Sequence, residues 1–246
     1  MLRRSPFQRC GRTVLLLAGF VLAGCPVFFD ANLGAEVRVN GPDGRSCAKG
    51  GDGETLAICR IGTQTNDYEY DARAVAKGLG EDLKGTTDVE GDVGGQTAAN
   101  GEVYQTFVVI SDTLAPGAPV DLVIVAHLFG SFWESPRAAL SQVTYFVAYW
   151  TDGCNASGCG APINPTVVAD FDVPSGLVSF FSPSVEEPLV GLAVGDVFGV
   201  RAELHVRTAS PSPGGRARAD AFGDFDIRDP DPDVDPDAAV VRLDLL

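Results

Sequence analysis

Phe198-Gly-Val-Arg-Ala-Glu-Leu-His-Val-Arg207 decides the fold, because apolar and polar residues alternate along it with a period of two. The same alternation returns at 216–227, after the loop sequence Ser210-Pro-Ser-Pro-Gly-Gly215. Period two is the pattern of a β-strand with one buried face, and a Pro/Gly segment between two such strands is typical of a turn. The two stretches therefore predict a long antiparallel hairpin, with both charge signs on its outward face.

Most of the remaining chain also consists of strand and turn patterns, and helical patterns are nearly absent. Val120–Phe129 and Val143–Trp150 are apolar on both faces, which suits central strands. Other strand candidates are Ala35–Asn40, Leu56–Gly62, Tyr68–Ala76, Val103–Ser111, Pro119–Phe129, Gln142–Thr151, Thr166–Phe171, Leu177–Phe181 and Ala238–Leu245. The expected fold is all-β, an antiparallel two-sheet sandwich with a jelly roll as one candidate strand order.

The N-terminus has the features of an export signal. Arginines precede an apolar run at Thr13–Leu22, which is too short for a membrane span of about 20 residues but suits a signal peptide. Leu22-Ala23-Gly24-Cys25 resembles the lipobox of bacterial lipoproteins. That resemblance implies cleavage before Cys25, lipidation of its sulfur and a lipid anchor in the cell envelope, with Pro26 favouring the outer membrane. An ordinary signal peptide with a chance cysteine is the alternative.

These features predict three segments in the chain. They are a helical signal peptide at 1–24, a lipidated N-terminus with a short tether at 25–34, and one sandwich domain at 35–246. The whole chain carries a net charge of −15, and removal of the four signal-peptide arginines leaves 14 basic residues against 33 acids, about −19. Such a charge repels phosphate backbones, so nucleic acid is excluded as a partner.

Four cysteines remain for the domain after Cys10 leaves with the signal and Cys25 takes the lipid. An oxidising compartment predicts two disulfides, and the local pairing Cys47–Cys59 with Cys154–Cys159 is favoured among three possibilities. A zinc site is the alternative, but these cysteines lack the C-x₂-C spacing and have no histidine near them in the sequence.

Four further segments resemble parts of the exosortase-sorted, PEP-CTERM-type extracellular proteins, a group of β-sandwiches. They are Thr106–Val120 with its S-D-T-L-A-P-G-A-P-V string, Tyr68–Ala74, Val194–Phe198 and Ala219–Gly223. The resemblance implies an envelope or matrix location and supplies no site residues. The chain lacks the Pro-Glu-Pro motif of that group, and the lipid at Cys25 would replace the usual anchor.

Two segments are candidates for ligand binding. Asp229-Pro-Asp-Pro-Asp-Val-Asp-Pro-Asp237 could offer the carboxylates of Asp229, Asp231, Asp233, Asp235 and Asp237 to Ca²⁺, although a solvated acidic loop is the simpler explanation. Trp133, expected in a loop at 130–136, could stack on a sugar ring or fold onto the sandwich edge. No other cofactor is indicated.

Motifs for catalysis are missing from the sequence. It contains no G-x-S-x-G, H-E-x-x-H or phosphate-binding glycine motif, and its two histidines, His127 and His205, read as ordinary strand residues. The expectation is a non-enzymatic, envelope-anchored structural, adhesive or matrix protein. A carbohydrate-binding module, with polysaccharide as partner and calcium as a candidate aid, is the alternative, and a glycoside hydrolase ranks third.

Overall fold

The computed structural model describes residues 33–64, 68–77, 82–91, 95–135, 140–162, 164–174, 180–210, 215–230 and 242–245. The expected signal peptide at 1–24, the expected lipidation site Cys25 and the acidic residues from Asp231 to Asp237 lie outside these ranges. All regular structure within them is β-strand, which confirms the all-β prediction. The described ranges contain no helix long and apolar enough to cross a membrane.

The described residues form sixteen strands, arranged as two large antiparallel sheets and one small ribbon. In chain order they are β1 (Leu33–Asn40), β2 (Ser46–Asp52), β3 (Leu56–Gln64), β4 (Tyr68–Lys77), β5 (Asp82–Gly91), β6 (Gly95–Ile110), β7 (Leu122–Glu134), β8 (Leu140–Trp150), β9 (Cys154–Asn155), β10 (Gly158–Cys159), β11 (Thr166–Pro174), β12 (Phe180–Phe181), β13 (Ser184–Leu189), β14 (Val197–Ser210), β15 (Gly215–Arg228) and β16 (Arg242–Leu245). Sheet 1 has the order β11-β8-β14-β6-β1-β2, with β16 also on β6. Sheet 2 has the order β12-β7-β15-β5-β4-β3, with β13 also on β7.

The core lies between the two sheets and is filled by alternate residues of each strand. Val200, Leu204 and Val206 from sheet 1 meet alanines and other small side chains from sheet 2. A Cβ added at Gly223 would lie 2.6 Å from the ring of Tyr145, so this glycine leaves the space that the buried tyrosine occupies. The expected two-sheet sandwich is confirmed.

The predicted hairpin between the two most regular strands is wrong. β14 pairs with β6 and β8 in sheet 1, whereas β15 pairs with β5 and β7 in sheet 2. The two strands are instead packed face to face across the core. Period two correctly identified one buried face on each strand, but it does not specify which strand lies alongside.

Both predicted disulfides are confirmed. Cys47–Cys59 joins β2 of sheet 1 to β3 of sheet 2, and Cys154–Cys159 closes the β9–β10 ribbon. The zinc alternative is therefore excluded, because all four sulfurs are in disulfides. That ribbon lies beside the outer surface of sheet 1, where the Tyr104 hydroxyl donates a hydrogen bond to the carbonyl of Cys159 at 2.9 Å.

Several element boundaries differ from the expected ones. β1 begins at Leu33, so the last two residues of the expected tether at 25–34 belong to the sheet. β7 continues to Glu134, which places Trp133 in a strand rather than in a loop. The strand β13 was not predicted, because S-V-E-E-P-L is polar and contains a proline, as edge strands often do.

Candidate functional site

The outer surface of sheet 2 carries exposed aromatic side chains grouped around Ser131. Phe129 and Trp133 flank Ser131 along β7, and Phe180 of β12 pairs directly with it. Their exposed fractions are 38%, 54% and 80%. Phe222 of β15 pairs with Phe129, and their rings stack with centroids 5.4 Å apart. We call these four residues, Phe129, Trp133, Phe180 and Phe222, the aromatic face.

Strand geometry explains why these side chains share one side of the sheet. Ile124, Ala126 and Leu128 of β7 are buried in the core, so residues 129, 131 and 133 point outward. Gly130 interrupts the inward row because a Cβ there would lie 2.3 Å from the ring of Phe181. At about 3.3 Å per residue, Phe129 and Trp133 are about 13 Å apart along the strand.

Trp133 lines a shallow groove of about 380 Å³ together with Ser131, Arg216, Arg218 and Asp220. The guanidinium of Arg216 lies over the indole ring at 5.5 Å from its centroid and covers that face of the ring. Ion pairs neutralise both arginines, Arg216 with Asp88 and Arg218 with Asp220. The groove therefore combines an aromatic plane with hydrogen-bonding groups and no uncompensated positive charge.

At the other end of the aromatic face lies His127. Its Nδ1 is 2.9 Å from Oδ1 of Asp224, the residue that pairs with it on β15. Its ring stacks on Phe129 with centroids 6.2 Å apart. On the opposite side, Ser184 of the edge strand β13 pairs with it. His127 thus has a hydrogen-bond partner at the surface rather than a place in the core.

Charged residues form a row across the outer surface of sheet 1. Glu36, Glu102 and Glu203 form one row across β1, β6 and β14. Arg201 lies beside this row, with Nε 2.8 Å from Glu102 and Nη2 2.9 Å from Glu203. His205 approaches the carboxylate of Glu203, and its Nε2 is 3.3 Å from Oε2 of that residue. We call Glu36, Glu102 and Glu203 the glutamate row.

The surroundings separate the pKa values of the two central glutamates. Burial raises the pKa of Glu102 to about 7, and the charges of Glu203 and Glu36 add to the rise against the opposing charge of Arg201. Burial also acts to raise the pKa of Glu203, but the hydrogen bond to His205 and the charge of Arg201 outweigh it and lower that pKa. Near neutral pH, Glu102 is thus partly protonated while Glu203 is ionised.

The structure separates the sequence-predicted ligand residues. Trp133 belongs to the aromatic face, whereas Asp229 follows directly after β15 and the other four aspartates of the segment are not described. Within the described ranges, no group of three or more His, Cys, Asp or Glu side chains is placed to hold a metal ion. The calcium prediction for 229–237 stays a prediction.

Sequence reasoning missed Phe129, Phe180 and Phe222 as partners of Trp133. The spacing of 129, 131 and 133 was a usable signal, since alternate residues of one strand share a face. The loop assigned to 130–136 hid that relationship.

Comparisons with known proteins add little to this geometry. No protein-family model matches the chain, and no curated protein matches it. A solved structure of the enzymatically active domain of tailspike protein 4 from bacteriophage CBA120 is similar over 70% of this chain, at 13% identity and a TM-score of 0.24; the match covers 20% of that chain. The infectious bursal disease virus Gx strain structure matches over 86% of this chain and 68% of its own, at 11% identity and a TM-score of 0.12. Similarity at these TM-scores carries no argument about function.

Proposed function

We propose that the protein is an exported, lipid-anchored envelope protein whose sandwich adheres to a neutral polysaccharide through the aromatic face. The observation that carries the binding proposal is the grouping of Phe129, Trp133 and Phe180 around one serine on an open sheet surface. Clustered exposed aromatic side chains mark interaction sites, because isolated apolar residues are ordinary on surfaces but contiguous ones are costly in water.

Carbohydrate suits this surface better than an apolar protein partner does. Sugar rings offer an apolar face for stacking and hydroxyl groups around their edges. The aromatic rings provide the stacking plane, and Ser131, Asp220 and Arg218 provide hydrogen-bonding groups beside it. The separation of about 13 Å between Phe129 and Trp133 favours an extended ligand of several sugar units over a monosaccharide.

Charge further narrows the ligand class. The chain has a net charge of −15, and ion pairs neutralise the arginines of the groove. A polyanionic polysaccharide would meet a repulsive field, so a neutral one is the expected partner. Export is supported by the sequence of the first 25 residues, and the two disulfides are typical of an oxidising compartment outside the cytoplasm.

Affinity electrophoresis of the full-length protein, purified in mild detergent, tests the binding proposal. Native gels containing a panel of neutral polysaccharides (glucans, mannans, xylans and galactans) should retard the protein on at least one of them. Trp133→Ala should weaken that interaction about tenfold or more, since loss of a stacked aromatic ring removes at least about 1.4 kcal/mol.

Leu140→Ala provides the matched control. Leu140 is 63% exposed on β8 of the other sheet, so its removal takes away a similar apolar surface outside the aromatic face. Retardation that is equal for Trp133→Ala and the unchanged protein would contradict the proposal. Failure of every neutral polysaccharide would contradict it as well.

A further inference from the structure

Three residues from three strands form one row on the outer surface of sheet 2. Asp224 of β15 pairs with His127 of β7, and His127 pairs on its other side with Ser184 of β13. Their chain neighbours Phe225, Ala126 and Val185 pack into or against the core. Alternation along each strand therefore directs Ser184, His127 and Asp224 outward together.

We propose that Ser184, His127 and Asp224 form a serine-nucleophile site that hydrolyses carboxylic esters. In this arrangement Ser184 is the nucleophile, His127 is the general base and Asp224 is the positioning residue. The row contains the three groups in the order that this chemistry requires, with the imidazole between hydroxyl and carboxylate.

The contact between His127 and Asp224 has the required direction. Asp224 Oδ1 is 2.9 Å from Nδ1, so the carboxylate accepts the Nδ1–H and leaves Nε2 as the basic nitrogen. Stacking on Phe129 further restrains the plane of the imidazole ring. Among the described residues Nε2 has no hydrogen-bond partner, and 39% of the histidine side chain is exposed. The base is therefore both oriented and accessible.

Strand register places Ser184 directly opposite His127. The Leu128 N–H donates to the Pro183 carbonyl at 3.0 Å, so 128 and 183 form a hydrogen-bonded pair of the ladder. The next pair, His127 and Ser184, is then of the non-hydrogen-bonded kind, in which Cα atoms are about 4.5 Å apart and side chains approach most closely. Turning the Ser184 hydroxyl toward Nε2 requires rotation about one side-chain bond.

The same register leaves a donor for the oxyanion. Because 185 and 126 form the following hydrogen-bonded pair, the N–H of Ser184 points away from β7. Among the described strands β13 pairs with β7 alone, so this N–H faces an open sheet edge. A backbone N–H of the nucleophile itself is a common oxyanion donor.

The proposed reaction consumes ester and water and releases acid and alcohol. Ser184 Oγ attacks the acyl carbon while its proton moves to Nε2 of His127, and the carbonyl oxygen becomes an oxyanion. The C–O bond to the alcohol then breaks, and the alcohol leaves with the proton from Nε2. Water attacks the acyl-serine, again giving its proton to Nε2, and release of the acid returns that proton to Ser184.

This site departs from the expectation of a non-enzymatic protein, and it does not depend on polysaccharide binding. The neighbouring rings of Phe129 and Phe222 favour a substrate with an apolar part next to the ester. Local sequence gave no sign of it, because Ser184 and Asp224 lie 57 and 97 residues after His127.

A fluorophosphonate probe tests the site without knowledge of the natural substrate. The full-length protein in detergent should be labelled at Ser184, as mapped by peptide mass spectrometry, and should hydrolyse 4-nitrophenyl acetate. Ser184→Ala should abolish labelling. His127→Gln should slow labelling by at least about 100-fold, because it removes the general base.

Ser182→Ala is the matched control, since Ser182 is also exposed and precedes Ser184 by two residues. It should be labelled like the unchanged protein. For Asp224, Asp224→Asn should slow labelling, whereas Asp224→Glu, which keeps the carboxylate, should restore part of the rate; a purely structural role would not distinguish the two. The melting temperature of every variant is measured first. For any variant that melts at a lower temperature than the unchanged protein, both proteins are labelled at a temperature at which the variant is folded.

Labelling of the unchanged protein is the first test of the proposed ester site. No labelling of it, or labelling that survives Ser184→Ala or His127→Gln, would overturn the proposal. Trp133→Ala should still be labelled at Ser184, so loss of polysaccharide binding and loss of the ester site give different results.

Discussion

Glu102 and Glu203 lie directly opposite each other on β6 and β14, and one guanidinium, that of Arg201, contacts both carboxylates. One cation thus serves two acids, with Glu36 as a third acid on the neighbouring strand. Burial, together with this excess of negative charge, raises the pKa of Glu102 to about 7.

The raised pKa predicts how stability depends on pH. The folded protein holds the Glu102 proton up to about pH 7, whereas the unfolded chain releases it near the ordinary value of 4.5. The stabilisation of the folded state that this proton provides is therefore fully present below pH 4.5. As the pH rises through 7 it is lost, which lowers the free energy of unfolding by about 3 kcal/mol. Glu102→Gln should raise the free energy of unfolding in urea at pH 8 and leave it nearly unchanged at pH 4. The exposed Glu187→Gln is the control, and an equal effect of Glu102→Gln at both pH values would contradict this prediction.

The disulfide between the sheets predicts a loss of stability on its removal. Cys47 and Cys59 are 12 residues apart and join β2 to β3. Replacing both with alanine should lower the free energy of unfolding by about 3 kcal/mol, because the unfolded chain regains the freedom of that loop. Replacing Cys154 and Cys159, which are 5 residues apart, should cost less, about 2 kcal/mol. Urea unfolding curves measure both, and the reverse ranking would count against the chain-entropy argument.

The contact between Gly223 and Tyr145 predicts a steric effect in the core. Gly223→Ala places a methyl group against a fully buried ring, so unfolding should become easier by about 1–3 kcal/mol. Gly160→Ala is the matched control, since its nearest neighbour would be 3.9 Å away. Thermal melts would show the difference. If both alanine variants melt at the same temperature, the ring is free to move aside and the contact is not restrictive.

Lipidation of Cys25 is a prediction from the sequence alone. In a bacterial host grown with a labelled fatty acid, the protein should incorporate label and fractionate with membranes. Cys25→Ser should remove the label, while Cys10→Ser, within the expected signal peptide, should not. Label that remains on the Cys25→Ser protein would argue for an ordinary signal peptide.

Strand patterns predicted individual elements better than their arrangement. The alternations around Leu204 and Ala219 correctly identified β14 and β15, but between Ser210 and Gly215 the chain passes from one sheet to the other instead of joining two neighbouring strands. A Pro/Gly segment fits either connection, since local sequence specifies a turn and long-range packing specifies the partner. The two disulfides were predictable because nearby cysteines in an oxidising compartment have few alternatives.

The surface sites were less accessible to sequence reasoning. Trp133 was singled out as a candidate ligand-binding residue, yet Gly130 and Ser131 interrupted the apolar run and suggested a loop. In the folded protein, Gly130 is a strand residue that makes room for Phe181. The neighbours of His127 on both sides come from distant parts of the chain, and only the register of β7 with β13 and β15 brings them together.

The position of β1 between β2 and β6 has a mechanical consequence. Every residue of this strand pairs with β6, and the residues from Gly34 to Asn40 pair with β2 as well. Tension applied at Leu33 along the strand would load both ladders in shear, so that many hydrogen bonds resist at once rather than parting one after another. If the proposed anchor at Cys25 holds the protein in the envelope, force on the sandwich would reach the domain through β1 and would load its ladders with β2 and β6 together.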